Sequence, residues 1–199
     1  MGRGVREEQR EQTRRTLLLQ SRHLFATRGY QAVGLAEIVG AAGVTKGALY
    51  HHFASKVELF RAVLTQVQQE VGGRVAAIAD AQPDPWSRLT AGCQAFLSAS
   101  ADPDLQRIML VDGPAVLGWH EWRALDEATS GRHLADALAD LITAGVIAPQ
   151  PVAPLSHLLS GAMNEAALWL AGSADPADLV ATQAALSRLI DALRVNEPL

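Results

Sequence analysis

Residues 34–60, GLAEIVGAAGVTKGALYHHFASKVELF, carry the pattern of three short helices. Leu35, Ile38, Val39 and Ala42 recur at i, i+3, i+4 and i+7, which draws one apolar stripe along a first helix. Gly43 follows where a tight turn needs positive φ, a conformation that glycine takes without steric cost. Val44 is placed to fill the angle between helices, and Thr45 is a good N-cap for the next one. At 100° per residue, Thr45, His52 and Phe53 stay within about 60° of Leu49. Lys46, Gly47, Tyr50 and His51 fall on the opposite side. One side is built to pack, and the other offers a cation, a phenol and an imidazole. Glycine at an exposed helical position costs roughly 1 kcal/mol against alanine. Close approach of a DNA strand to the first turn and its free N–H groups would compensate. Such a helix suits a major groove and the phosphates beside it. Ser55 and Glu58 then stand in capping-box spacing, so a further helix starts there. Lys56 in its first turn opposes the helix dipole, and a phosphate neighbour would account for it.

The run Gly43-Val44-Thr45-Lys46-Gly47-Ala48-Leu49-Tyr50-His51-His52-Phe53, followed by Ser55-Lys56, closely resembles the helix-turn-helix signature of tetracycline-repressor-type (TetR family) regulators. With Leu24-Phe25 and Gly29-Tyr30 upstream, the resemblance covers roughly residues 10 to 60. It implies a DNA-binding head at 1–60, with its motif at about 34–53, and a helical ligand-binding and dimerisation body at 61–199. On that resemblance, Thr45, Lys46, Gly47, Tyr50, His51 and Lys56 form the surface that meets double-stranded DNA. The implied function is a repressor that binds a palindromic operator as a homodimer and is released by a small apolar or aromatic effector. One departure stands out. The family usually has Thr just before the first helix of the motif, capping it and touching phosphate, whereas this chain has Val33-Gly34.

Composition agrees with that division. The chain has 199 residues, 49% of them hydrophobic, enough for one large or two small domains with a real core. Residues 1–60 carry nine Lys/Arg and five Asp/Glu, while residues 61–199 carry eight and sixteen. Cationic potential is therefore concentrated where the motif lies, in a chain that is acidic as a whole. A single cysteine, Cys93, excludes an intramolecular disulfide framework and a Cys-rich zinc site. The N-terminus lacks an apolar signal region and no long apolar run follows, so a cytoplasmic protein with no membrane partner is expected. No cofactor or metal is implied.

Along the chain, residues 1–8 read as a polar, glycine-containing tail whose Arg3 and Arg6 could trail along phosphate. A first helix spans about Glu8 to Arg28, burying Leu17, Leu18, Ser21, Leu24 and Phe25. Leu59, Phe60, Val63, Leu64, Val67 and Val71 continue a helical stripe that Gly72-Gly73 interrupts, a kink site that reads either as a hinge or as a local weak point in one long helix. Asp84-Pro85, Asp102-Pro103 and Asp175-Pro176 each read as an N-cap followed by a first-turn proline. Gly113-Pro114 breaks the chain, and one long helix runs from about Trp119 to Ala144. Another follows from about Pro154 to Ala171. There is no strand alternation and no internal repeat. The fold class is all-α.

The last two helices carry Leu155, Leu158, Leu159, Met163, Leu168 and Trp169, then Leu179, Leu186, Leu189, Ile190 and Leu193. Faces of this kind either bury in the monomer or pair across a twofold axis as a four-helix bundle. An aromatic-lined cavity with a few polar groups is the usual holder of a small apolar ligand. Its candidate lining is Phe96, Trp119, His120, Trp122, Asn164 and Trp169, with Cys93 and Arg107 behind them. Catalysis finds no support, since the six histidines are scattered and no nucleophile–base–orienter set accompanies them. The alternative is a helical small-molecule-binding dimer that no longer binds an operator, for which Gly34 is the hint.

Overall fold

The chain is seen in a computed structural model that describes residues 2–175 and 177–195, with side chains from Gly4 onward. The Arg3 side chain and Pro176, both invoked above, lie outside the described residues. The helices in chain order are α1 (Gly2–Arg28), α2 (Leu35–Ala42), α3 (Lys46–His52), α4 (Lys56–Asp80), α5 (Pro85–Ser100) and α6 (Pro103–Gln106). A π-helical turn (Arg107–Asp112) follows, then α7 (Gly113–Leu117), α8 (Trp119–Glu127), α9 (Ser130–Thr143), α10 (Val152–Ala171) and α11 (Ala177–Asp191). Among the described residues the only β feature is an isolated antiparallel bridge between Ile147 and Arg194. The protein is all-α, and it forms two compact units.

The first unit is Met1–Val67 together with Arg107–Trp122. Its core is an aromatic triangle of Phe25, Tyr30 and Phe60, with ring centroids 5.1 to 5.7 Å apart. Leu17, Leu18, Ile38, Leu49 and Leu59 close around it, fully buried. α1 begins at Gly2, earlier than the expected start near Glu8, so the segment read as a tail is helical. The segment 107–122 is tied to the helices of the head by polar contacts. The Tyr30 amide donates to Asp112 Oδ2 at 2.8 Å, Arg107 donates to the Thr27 carbonyl at 3.2 Å, and Arg61 pairs with Glu121.

Gly113-Pro114 does not break this segment. The π-turn runs directly into α7, whose first turn takes the proline because no N–H bond is needed there. Gly113 is demanded by packing. A Cβ there would lie 2.8 Å from Trp122 Cδ1 and 3.1 Å from the Ile108 carbonyl. Trp122 is 3% exposed and its indole N–H donates to the Met109 carbonyl at 2.7 Å.

The second unit is Gln68–Gln106 with Arg123–Leu199. Here α5 packs against α9, α10 and α11, and α10 also packs against α9 and α11. The aspartate caps form as read. Asp84 accepts from the Ser87 amide at 3.0 Å, Asp102 from Asp104 at 2.9 Å, and Asp175 from Ala177 at 2.8 Å. One alternative is decided and one expectation corrected. α4 continues unbroken through Gly72-Gly73, because the buried stripe Val67, Val71 and Val75 outweighs about 1 kcal/mol of glycine penalty per residue. The helix expected from Trp119 to Ala144 is two helices, parted at Ala128-Thr129. The Thr129 hydroxyl donates back to the Leu125 and Asp126 carbonyls, and its ψ of −109° leaves the helical region.

The stripe expected on α10 also resolves into two. Leu155, Leu159, Met163 and Ala167 point into the unit, while Leu158, Leu168 and Trp169 stand on its outer side, Leu158 73% exposed. On α11, Leu186 and Ile190 are buried, and Val180 and Leu189 are exposed.

Candidate nucleic-acid face and ligand cavity

The recognition candidate is built by local rules. Gly43 takes φ 65° and caps α2, its amide bonding back to the Gly40 and Val39 carbonyls. Thr45 is extended at φ −86° and ψ 158°, and its hydroxyl oxygen accepts from the Ala48 amide at 3.1 Å, which starts α3. Leu49 is wholly buried and Phe53 nearly so, which fixes the rotation of the helix. Thr45, Lys46, Gly47, Tyr50 and His51 are thereby left in solvent, with Tyr50 53% exposed. A Cβ at Gly47 would meet only the Thr45 hydroxyl, at 3.8 Å, so the glycine leaves the outside of the first turn bare.

The capping box at the start of α4 forms as read, while Lys56 is placed differently. Ser55 caps α4 by accepting from the Glu58 amide at 3.1 Å, and Glu58 in turn accepts from the Ala54 amide. Lys56, however, is turned inward. Its ammonium donates to the Tyr30 carbonyl at 2.6 Å and lies 4.0 Å above the Tyr30 ring. Burial holds it below the usual lysine range, with Asp112 pulling the other way. The first-turn lysine is accounted for by Tyr30, so no phosphate is needed to explain it. Arg14 likewise stacks over Phe53 at 5.7 Å. Burial, with Arg10, Arg14 and His51 adding and Glu11 opposing, holds His52 below the usual histidine range. Gly34 is extended at φ −96° and gives α2 no side-chain cap; a Cβ there would meet nothing within 4 Å.

The second unit holds a cavity of about 240 Å³. Val75, Leu89, Phe96, Leu134 and Met163 give it an apolar floor, and all five are buried. Asp126, from the last turn of α8, reaches it as a buried carboxylate. Its Oδ2 accepts from Arg123 Nη1 at 3.0 Å and from the Ser160 hydroxyl at 3.5 Å. Burial pushes the Asp126 carboxyl up, with Arg123 opposing. Cys93, also in the wall, is raised to about 12 by burial and stays a thiol.

Of the residues expected to line such a cavity, Phe96 does. Trp122 belongs to the first unit, committed to Met109. Trp119 and His120 stand in solvent, Trp119 with its ring 4.9 Å from that of Trp122. Trp169 lies on the outer side of α10, and Arg107 binds the Thr27 carbonyl. Asn164 is buried with its Oδ1 unpaired, but it is not in this wall. The sequence reading missed Asp126 and Ser130, for which the only signal was an i, i+4 pair of polar residues. Among the described residues, no group of three His, Cys, Asp or Glu is placed to hold a metal ion, and no helix is long and apolar enough to cross a membrane.

Comparison with known proteins adds the following. Residues 17–63 match the profile of bacterial regulatory proteins of the tetR family, and residues 86–193 match the tetracyclin repressor-like C-terminal domain. Neither is a profile of an enzyme family. A solved TetR-family transcriptional regulator from Pectobacterium atrosepticum is 35% identical, with a TM-score of 0.77 over 96% of this chain and 98% of that one. The transposon Tn10 TetC protein of Escherichia coli is 33% identical over 58% of this chain. The transcriptional activator FasR of Mycolicibacterium smegmatis is 41% identical over 44% of it. The chain spans 58% and 40% of the length of these last two.

Proposed function

Because the chain belongs to the TetR family of bacterial transcriptional regulators, we propose that it binds a palindromic operator as a homodimer and represses transcription in the cytoplasm until a small effector enters the cavity. The observation that supports this reading best is the side of α3 turned to solvent, where Lys46, Gly47, Tyr50 and His51 surround a helix pinned by buried Leu49. Lys46 supplies charge to phosphate, Tyr50 a hydroxyl on a rigid ring, and Gly47 room for the strand to approach. The test is a mobility-shift titration on DNA flanking the gene. With six or more phosphates neutralised, affinity should fall by about 10³ between 50 and 200 mM salt. A flat salt response, or no shift at all, would remove operator binding from the proposal.

Two heads are needed because one buries too little surface for strong specificity, and a twofold pair reads half-sites about 34 Å apart. The exposed Leu158 and Trp169 of α10, eleven residues apart and so on one side of it, with exposed Leu189 on α11, supply apolar surface for that pairing. Leu158→Glu combined with Trp169→Glu should give a folded monomer in sedimentation and abolish a stable shift. A variant that remains dimeric would place the interface elsewhere.

The Gly34 departure bears on affinity. Its backbone is extended and its surroundings open, so Gly34→Thr should change stability by no more than about 0.5 kcal/mol. If Thr there reaches phosphate, as the family pattern implies, operator affinity should rise about thirtyfold, since a dimer makes the contact twice. Unchanged affinity would show that the position lies off the DNA.

Release by an effector requires tighter binding to the conformation that fits the operator poorly. Equal operator affinity with and without saturating effector would exclude it. A second reading is favoured by the match to the activator FasR: the same DNA binding with transcription raised. A reporter driven from the operator-bearing promoter separates the two by sign.

A further inference from the structure

The cavity carries more negative charge than a purely apolar guest would call for. Asp126 is 3% exposed, and both bonds to its carboxylate end on Oδ2. Neither bond reaches Oδ1. Asp126 therefore presents a free carboxylate oxygen from an otherwise buried side chain in the cavity wall, which calls for a guest that donates to it.

The mouth has the same sign. Asp80, Asp136 and Asp140 belong to the wall and are exposed. Against them stand Arg88, whose Nε is bonded to the Gln82 carbonyl, and the imidazole of His133. Arg123 offsets the charge of Asp126, so the surplus negative potential comes from the mouth, where it draws cations inward. The floor is apolar, and at about 240 Å³ the cavity exceeds the roughly 150 Å³ that accepts benzene.

We infer that the ligand of this cavity is an organic cation, an ammonium carried on a one- or two-ring apolar body, with an N–H group donated to Asp126 Oδ1. The inference rests on the reading of this cavity as the effector site and names the class of effector. A carboxylate of the same shape would face the aspartates of the mouth. A neutral alcohol could satisfy Oδ1 but would gain little from the surrounding charge.

The test uses the full chain and three matched probes, 4-phenylbutylamine, 4-phenylbutanol and 4-phenylbutyrate, titrated calorimetrically at pH 7. The amine should bind at least about tenfold more tightly than the alcohol, because a hydrogen bond to a charged partner is the stronger one. The butyrate should bind most weakly. Asp126→Asn should bring the amine down to the level of the alcohol, with an unchanged circular dichroism spectrum and melting curve reporting an intact fold. Asp136→Asn with Asp140→Asn, both at the exposed mouth, should weaken the amine about threefold at low salt and hardly at all near 0.5 M salt. This pair and the probe series decide the matter should Asp126→Asn fail to fold.

Equal binding of all three probes, tightest binding of the butyrate, or binding of none would overturn the inference. So would an amine affinity unmoved by either set of substitutions. Binding of the alcohol and butyrate as tight as the amine would leave the cavity as an effector site while removing the cation. An amine that binds through Asp126 without changing operator affinity would uphold the cation site and remove effector release.

Discussion

Alanine at both Lys46 and Tyr50 should weaken operator binding by about a thousandfold without unfolding the head. Both side chains are exposed on α3, so their removal leaves no cavity and breaks no internal bond. Each interaction with phosphate or base is worth about 1 kcal/mol or more. In a twofold dimer every substitution acts twice, so two of them remove about 4 kcal/mol, and each 1.4 kcal/mol is tenfold. The salt dependence should become shallower as well, by about one unit of slope for each phosphate that is no longer neutralised. The measurement is a titration of one operator duplex at several salt concentrations, with helicity recorded alongside. Binding within threefold of the unmodified protein would mean that this side of α3 does not meet DNA. Lys56→Ala should behave differently, since its ammonium is spent on Tyr30. It should lower the stability of the head more than it changes the salt dependence.

The largest loss of stability should come from Trp122→Ala, at about 3–5 kcal/mol for a buried indole, with the Met109 carbonyl left unpaired. Gly113→Ala should cost about 1–3 kcal/mol by itself, because its methyl group would press on Trp122 and on the Ile108 carbonyl. The two should not add. With the indole gone, the alanine methyl enters vacated space, so the double variant should be at least about 1 kcal/mol more stable than the sum predicts. Chemical denaturation of the four proteins closes the cycle. Strict additivity would show that Gly113 is set by its backbone and not by the indole.

How much of this was legible beforehand follows from the range of the interactions. The rotation of α3 could be read because it depends on local spacing: Leu49 and Phe53 on one side, Lys46, Tyr50 and His51 on the other. The aspartate caps at 84, 102 and 175 were legible for the same reason, each bond closing within three residues. The path through Gly113-Pro114 was not, because it is fixed by Trp122, nine residues on, which makes glycine a packing requirement where the sequence suggested a breaker. The cavity was the least legible part. Aromatic residues drew attention to Trp119, Trp122 and Trp169, which serve a surface, a core and an outer helix face. Asp126 was one of sixteen acidic residues in the body. What sets it and Ser130 apart is the break at Thr129, where a hydroxyl competes for helical carbonyls, and a period-3.6 pattern does not register that competition.

If two chains pair through the exposed apolar residues of α10 and α11 as proposed, that pairing also sets how steeply the regulator responds to its own abundance. Large apolar side chains left in water favour association, and that gain is collected only when two chains meet. At copy numbers below the pairing constant, operator occupancy would then rise with the square of the number of chains, so halving expression would cut promoter control by nearly four.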